Sequence, residues 1–208
     1  MKRIMLFITA AVTAVAAGVA LTPREAFVNA PRQVITAIDS ITRLDMLDYY
    51  DSGSEGASRN AFGGEARVKL LNDELITVGT TKSSDVTIAL LPAGRDTMLL
   101  VVNTLALPAP DSYATVYNRD WQPVAPSRQL PGHNDLNLWI DGSTKAPMQD
   151  IENAIPFIPA IYTYSDGTLT VSHSLRRLLN DNDYDLVKPY LRQSVGYRWD
   201  GGKWKKLK

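Results

Sequence analysis

The sequence predicts an α+β fold: antiparallel sheet, in one or two pieces, with helices packed on one face and the plan repeated in two similar halves. Three observations carry this. Apolar residues recur at helical spacing between Pro31 and Tyr50. From residue 66 onward that period gives way to short β-branched or alternating runs separated by turn residues. Tyr162-Thr163-Tyr164-Ser165-Asp166-Gly167 is echoed by Tyr197-Arg198-Trp199-Asp200-Gly201, and more faintly by Tyr117-Asn118-Arg119-Asp120-Trp121. Aromatics two apart lie on one strand face, and Asp-Gly supplies a hairpin turn.

The elements follow in order. Residues 1–20 open with Lys2-Arg3, continue without a charge from Ile4 to Ala20 and end in small residues, which is the pattern of a secretory signal peptide. A cut after Ala20 leaves Thr22-Pro23-Arg24-Glu25 as a helix start, with Thr as N-cap, Pro at N1 and Glu at N3. Pro31–Tyr50 reads as a short helix, a break near Asp39-Ser40 and a second helix, with Thr42 and Asp45 as its capping pair. Strands are expected over 66–71, 75–80, 86–90, 98–105, 112–117 and 121–124. The run Met98–Leu105 is apolar on both faces and fits a central strand covered on both sides.

The Pro-rich stretch 123–132 divides an N-terminal half, 21–126, from a C-terminal half, 127–208; the halves either stand apart or form one continuous domain. The second half repeats the plan. A helix is expected over 147–155 and a hairpin over 157–172. Helices at 175–179 and 184–191 follow, the latter interrupted by Pro189, and a closing hairpin spans 195–207.

Composition narrows function. Without residues 1–20 the chain has 188 residues, with 20 basic and 22 acidic side chains, net −2. That balance gives no reason to expect nucleic acid or an anionic membrane surface as partner. There is no Cys, so no disulfide, thiol nucleophile or lipid-anchoring Cys is available. Removal of the leader leaves no stable membrane anchor. The expected location is outside the cytoplasm, in the periplasm or the medium.

Catalytic constellations are not evident, and no cofactor is expected. Two His, His133 and His173, make a poor metal set; His133 reads as a turn residue and His173 as a surface or capping side chain. Asp181-Asn182-Asp183 with Asp185 reads as a turn and helix cap. Arg43, between Asp39 and Asp48, reads as a paired residue on a solvated face. Ser112, His133 and Asp111 assemble into a triad only by free choice among many serines. Aromatics supply the candidate binding residues: Tyr117, Trp121, Tyr162, Tyr164, Tyr197, Trp199 and Trp204. They suit a protein or glycan partner, or serve as cross-strand packing.

Several of these segments resemble a secreted Bacteroidales family, the domain of unknown function 3256. They are Pro31, Arg43–Tyr50, Asn60 with Gly63, Pro108–Ser112, Tyr117 with Trp121, Ile155-Pro156-Phe157 and Tyr197-Arg198-Trp199-Asp200-Gly201. The resemblance implies an exported α+β protein and carries no catalytic residues. At the level of fold the plan is also similar to secreted inhibitors built from two helix–sheet halves. The functional expectation is a non-enzymatic exported binding protein. The alternative is a hydrolase using carboxylates such as Asp45, Asp48 or Asp111, which requires two acids sharing one cleft.

Overall fold

Thr22 opens the first helix, α1 (Pro23–Asn29), through a complete capping box in which Thr22 and Glu25 satisfy each other's backbone N–H. The computed structural model describes residues 21–106, 108–142 and 145–207; the expected signal peptide lies outside these residues. The helix expected after Pro31 is absent. Residues 32–37 form turns in which Val34 and Ile35 N–H both reach back to Pro31 O.

The second helix, α2, spans Ser40–Asp51, and Asp39 rather than Thr42 caps it, accepting the Thr42 N–H at 2.8 Å. Arg43 explains the break and corrects the solvated-face reading. Its side chain is 2% exposed and donates to the carbonyls of Phe27, Val28, Ala30, Ile35 and Ile38. Carbonyls aimed at a guanidinium are not available to a continuous helix. Ile41 and Leu44, apolar by sequence, face outward.

A six-stranded antiparallel meander follows: β1 (Ser58–Arg59), β2 (Glu65–Leu71), β3 (Leu75–Thr81), β4 (Ser84–Ala93), β5 (Asp96–Leu105) and β6 (Asp111–Tyr117). Asn60 joins its start to its body: it donates to Thr80 O and accepts from Phe62 and Gly64 N–H. The strand expected at 121–124 reduces to one bridge, Tyr117 to Pro123. Pro123 has no N–H to extend a ladder, and Trp121 sits at φ 62°.

The C-terminal portion holds two short helices, α3 (Leu136–Trp139) and α4 (Met148–Ala154). The hairpin β7 (Ala160–Ser165) and β8 (Thr168–His173) comes next, then α5 (Leu175–Leu178) and α6 (Asp181–Val187), and finally β9 (Ser194–Trp199) and β10 (Trp204–Lys206). The four strands form a second antiparallel sheet, in the order β10-β9-β8-β7. Asp166-Gly167 makes its tight turn with φ of 50° and 70°. β7 begins at Ala160 rather than near Phe157 because Pro156 and Pro159 interrupt the run. Asn180 caps α6 by accepting from Asp183 N–H, as the turn-and-cap reading anticipates. At Pro189 the chain has already passed from α6 into a 3-10 turn.

The six-stranded sheet is the middle layer. Along β5, Leu99 and Val101 point into a core under α1 and α2, while Met98, Leu100 and Val102 point into a second core. The inner face of the smaller sheet builds that second core with Tyr162, Leu169, Val171 and Tyr197, and α3–α6 close it with Trp139, Ile151, Leu175 and Val187. This is the two-sided burial expected of Met98–Leu105.

Candidate functional site

The seven candidate aromatics do not share one surface. Tyr162 and Tyr164 on β7, and Tyr197 and Trp199 on β9, all turn inward and are buried between the sheets. Spacing of two puts each pair on one face, and that face is the one the larger sheet covers. Trp204 is half-buried and meets Trp199 edge-on, with centroids 5.3 Å apart. Tyr117 and Trp121 lie against the helix-side core, 5.8 Å apart.

The buried rings use their polar ends to join the layers. The Trp199 indole donates to Pro92 O at 2.8 Å, and the Tyr164 hydroxyl reaches Leu90 O at 3.5 Å. Burial pushes the phenols of Tyr162 and Tyr164 up to about 12, reinforced by Tyr197 and Asp111 for the first and by Glu74 for the second. Burial also raises Tyr197. At neutral pH these groups are hydroxyl donors, not phenolate nucleophiles.

His133 sits in a turn, as read from the sequence, but its ring does more than a turn requires. Its Nδ1 lies 2.8 Å from the Tyr162 hydroxyl and its Nε2 lies 3.2 Å from Asp111 Oδ1. The tautomer that satisfies both accepts from Tyr162 and donates to Asp111. Asp111 Oδ1 also accepts the Ala160 N–H at 2.9 Å, so the row ties the connector to β6 and β7. Ser112 does not join it as a nucleophile: it is buried, faces Thr104 Oγ1 at 2.8 Å and accepts from Tyr162 N–H.

His173 is neither a surface nor a capping residue. It stacks edge-on against Trp139 at 5.4 Å, both ring nitrogens are buried without partners, and desolvation lowers its pKa. Asp45 and Asp48 lie exposed on α2, apart from Asp111 on β6, so these three acids do not form a paired site.

A concavity with converging polar groups lies where the hairpin turns of both sheets meet. It encloses about 550 Å³. Asp73 and Glu74 line it from the β2–β3 turn, Gly94, Arg95 and Asp96 from the β4–β5 turn, Arg119 from beyond β6, and Tyr164 and Gly167 from the β7–β8 hairpin. Leu90 and Pro92 form an apolar strip beside them. The walls are tied together: Glu74 Oε2 accepts the Asp166 N–H at 3.0 Å, and the Trp199 indole holds Pro92 O. Trp121, two residues beyond Arg119, holds the left-handed conformation noted above, a strained state for a bulky side chain.

No motif in the sequence marks this cleft, because its lining comes from four separate turns, from β4 and β5, and from Leu21 just before α1. Tyr164 is the one candidate aromatic that reaches it. A smaller groove of about 220 Å³ opens beside the exposed side chains of Phe62, Leu105 and Tyr113. Among the described residues, no group of three or more His, Asp or Glu is placed to hold a metal ion.

A match to the family described as "Protein of unknown function (DUF3256)" runs over residues 16–204. The chain belongs to this family. It shares its fold with a solved domain of an uncharacterized protein from Porphyromonas gingivalis W83, with a TM-score of 0.74 at 19% identity over 88% of this chain and 96% of that one. No curated protein matches the chain. For a DUF3256 protein, the shared fold leaves function to be argued from the site. Among the described residues, no helix is long and apolar enough to cross a membrane.

Proposed function

We propose that this DUF3256 protein is an exported, non-enzymatic binding protein of a Gram-negative envelope. Its recognition site is the cleft between the hairpin turns of the two sheets. One observation carries this reading: the cleft is built from both sheets and cross-tied by the Glu74–Asp166 bond, so it is shaped before any ligand arrives. The partner is a glycan or a polar protein segment rather than nucleic acid, since the near-neutral chain offers no basic footprint. The leader, basic at Lys2-Arg3 and then free of charge to Ala20, followed by a capped helix start, supports export to the periplasm or medium, with no anchor after cleavage.

The alternative, a carboxylate hydrolase, has one point in its favour: Asp73, Glu74 and Asp96 line a common cleft. Glu74, however, is engaged in holding the β7–β8 turn. An amide-resolved NMR titration with saccharides, dipeptides, nucleotides and phosphate separates the readings. Binding at the cleft without turnover supports the proposal. Hydrolysis of a ligand establishes the alternative, and silence of the cleft to every class removes the binding site. N-terminal sequencing of material recovered outside the cytoplasm is expected to begin at Leu21; full-length protein in the inner membrane overturns the export reading.

A further inference from the structure

We infer that the inter-sheet cleft recognises one or two units of an uncharged saccharide, an inference that rests on the binding reading above. A sugar presents neighbouring hydroxyls that each donate and accept, and a C–H face that is apolar. Its site therefore needs acceptor forks, donor forks and an apolar strip within reach of one another. The cleft holds all three. Asp73 and Asp96 are carboxylate acceptors, Arg95 is a guanidinium donor, and Leu90 with Pro92 supplies the apolar strip.

Charge argues against an anionic ligand. Arg95 and Asp96 are adjacent in the chain, so a donor fork and an acceptor fork stand side by side on one wall of the cleft. A phosphate needs a net positive field, and three acids against two arginines do not provide one. Polyols are recognised by paired donors and acceptors without net charge.

Size and rigidity agree. About 550 Å³ lies inside the span of about 300–1,000 Å³ usual for small-ligand sites. Trp199 holds Pro92 O and Glu74 holds the Asp166 N–H, so little ordering cost remains for the ligand to meet.

The test uses ¹⁵N-labelled protein recovered from cells expressing the full chain, titrated with maltose, cellobiose, lactose and chitobiose, and in parallel with a dipeptide and inorganic phosphate. Saturable shifts are expected from at least one disaccharide at millimolar concentration. They should be confined to the amides of Asp73, Glu74, Gly94, Arg95, Thr97 and Gly167. Arg95→Ala, on an exposed turn, should weaken that binding about tenfold, the loss of one charge-assisted hydrogen bond. Asp96→Asn, which keeps the shape, should weaken it less. If the dipeptide or phosphate moves these amides and no disaccharide does, the saccharide assignment falls and the binding reading stands. If no probe moves them, both fall. Saccharide shifts centred on Phe62 and Tyr113 also overturn the assignment.

Discussion

On the helix-covered face of the six-stranded sheet, a single buried guanidinium gathers five backbone carbonyls from the segment between Phe27 and Ile38. On the opposite face, closure is shared among several aromatic rings, each burying its body and passing one polar end to a neighbouring layer: Tyr162 to His133, Tyr164 to Leu90, Trp199 to Pro92. The first arrangement concentrates its polar satisfaction in one side chain. The second distributes it, and in doing so fixes where the turns of the two sheets meet, which shapes the cleft. The helix side should therefore fail at one residue, while the inter-sheet side should weaken by degrees.

The largest break is a cut between the two sheets, which strips one face of the middle layer. We propose that residues 21–126 and 127–208 fold as one cooperative unit, because a separated N-terminal half exposes Leu75, Leu91, Leu100, Val102 and Val116 on one sheet face. Expressed alone, each half is expected to be unfolded or aggregated by circular dichroism and size-exclusion chromatography, and the whole chain should unfold in a single calorimetric transition. Two separate transitions would refute this.

Arg43→Met comes next. The substitution keeps much of the volume but strands five carbonyls, four of them buried, and a loss of about 3–5 kcal/mol is expected in denaturant unfolding. Arg43→Lys should recover little, because an ammonium is compact and lacks the planar fork. A loss below about 1 kcal/mol for Arg43→Met would show that the loop carbonyls find other partners.

Much of this fold was legible in sequence. Met98–Leu105 announced a strand covered twice, Asp166-Gly167 a tight turn, and Thr22-Pro23-Arg24-Glu25 a capped start. Arg43 was not legible, because charge at helical spacing reads as solvated and its partners are carbonyls, which have no sequence signature. Spacing of two is enough to put Tyr162 with Tyr164 and Tyr197 with Trp199 on one strand face each, though not to place Trp121, which lies outside any strand. Which face the second sheet would cover depends on packing between segments far apart in the chain. The cleft was invisible for the same reason: four turns contribute to it, and only the tertiary fold brings them together.

A finer contrast lies within one hairpin. Trp199 donates its indole N–H to Pro92 O, whereas the Trp204 indole nitrogen is buried with no partner. Trp199→Phe should cost about 1–2 kcal/mol and Trp204→Phe less than half of that, measured side by side by thermal unfolding. Equal losses would mean that ring packing, not the inter-sheet bond, dominates. Alkali probes the same network. Tyr162 and Tyr164 ionise more readily unfolded, near pH 10, than folded, near pH 12, so their stabilisation is complete below about pH 10 and is lost as pH rises toward about 12.

The smallest effect expected is at His173. Desolvation holds its folded pKa below the unfolded value of about 6.5, so below that pH the unfolded chain binds the extra proton. Its contribution is therefore fully present above about pH 6.5 and declines as pH falls toward the folded pKa. His173→Phe keeps the edge-on stack against Trp139 and sacrifices no hydrogen bond, since neither ring nitrogen has a partner. The variant should match or slightly exceed the native protein at pH 7.5 and should show a shallower fall in stability between pH 6.5 and pH 5. A parallel fall in both proteins would assign the acid sensitivity to other groups.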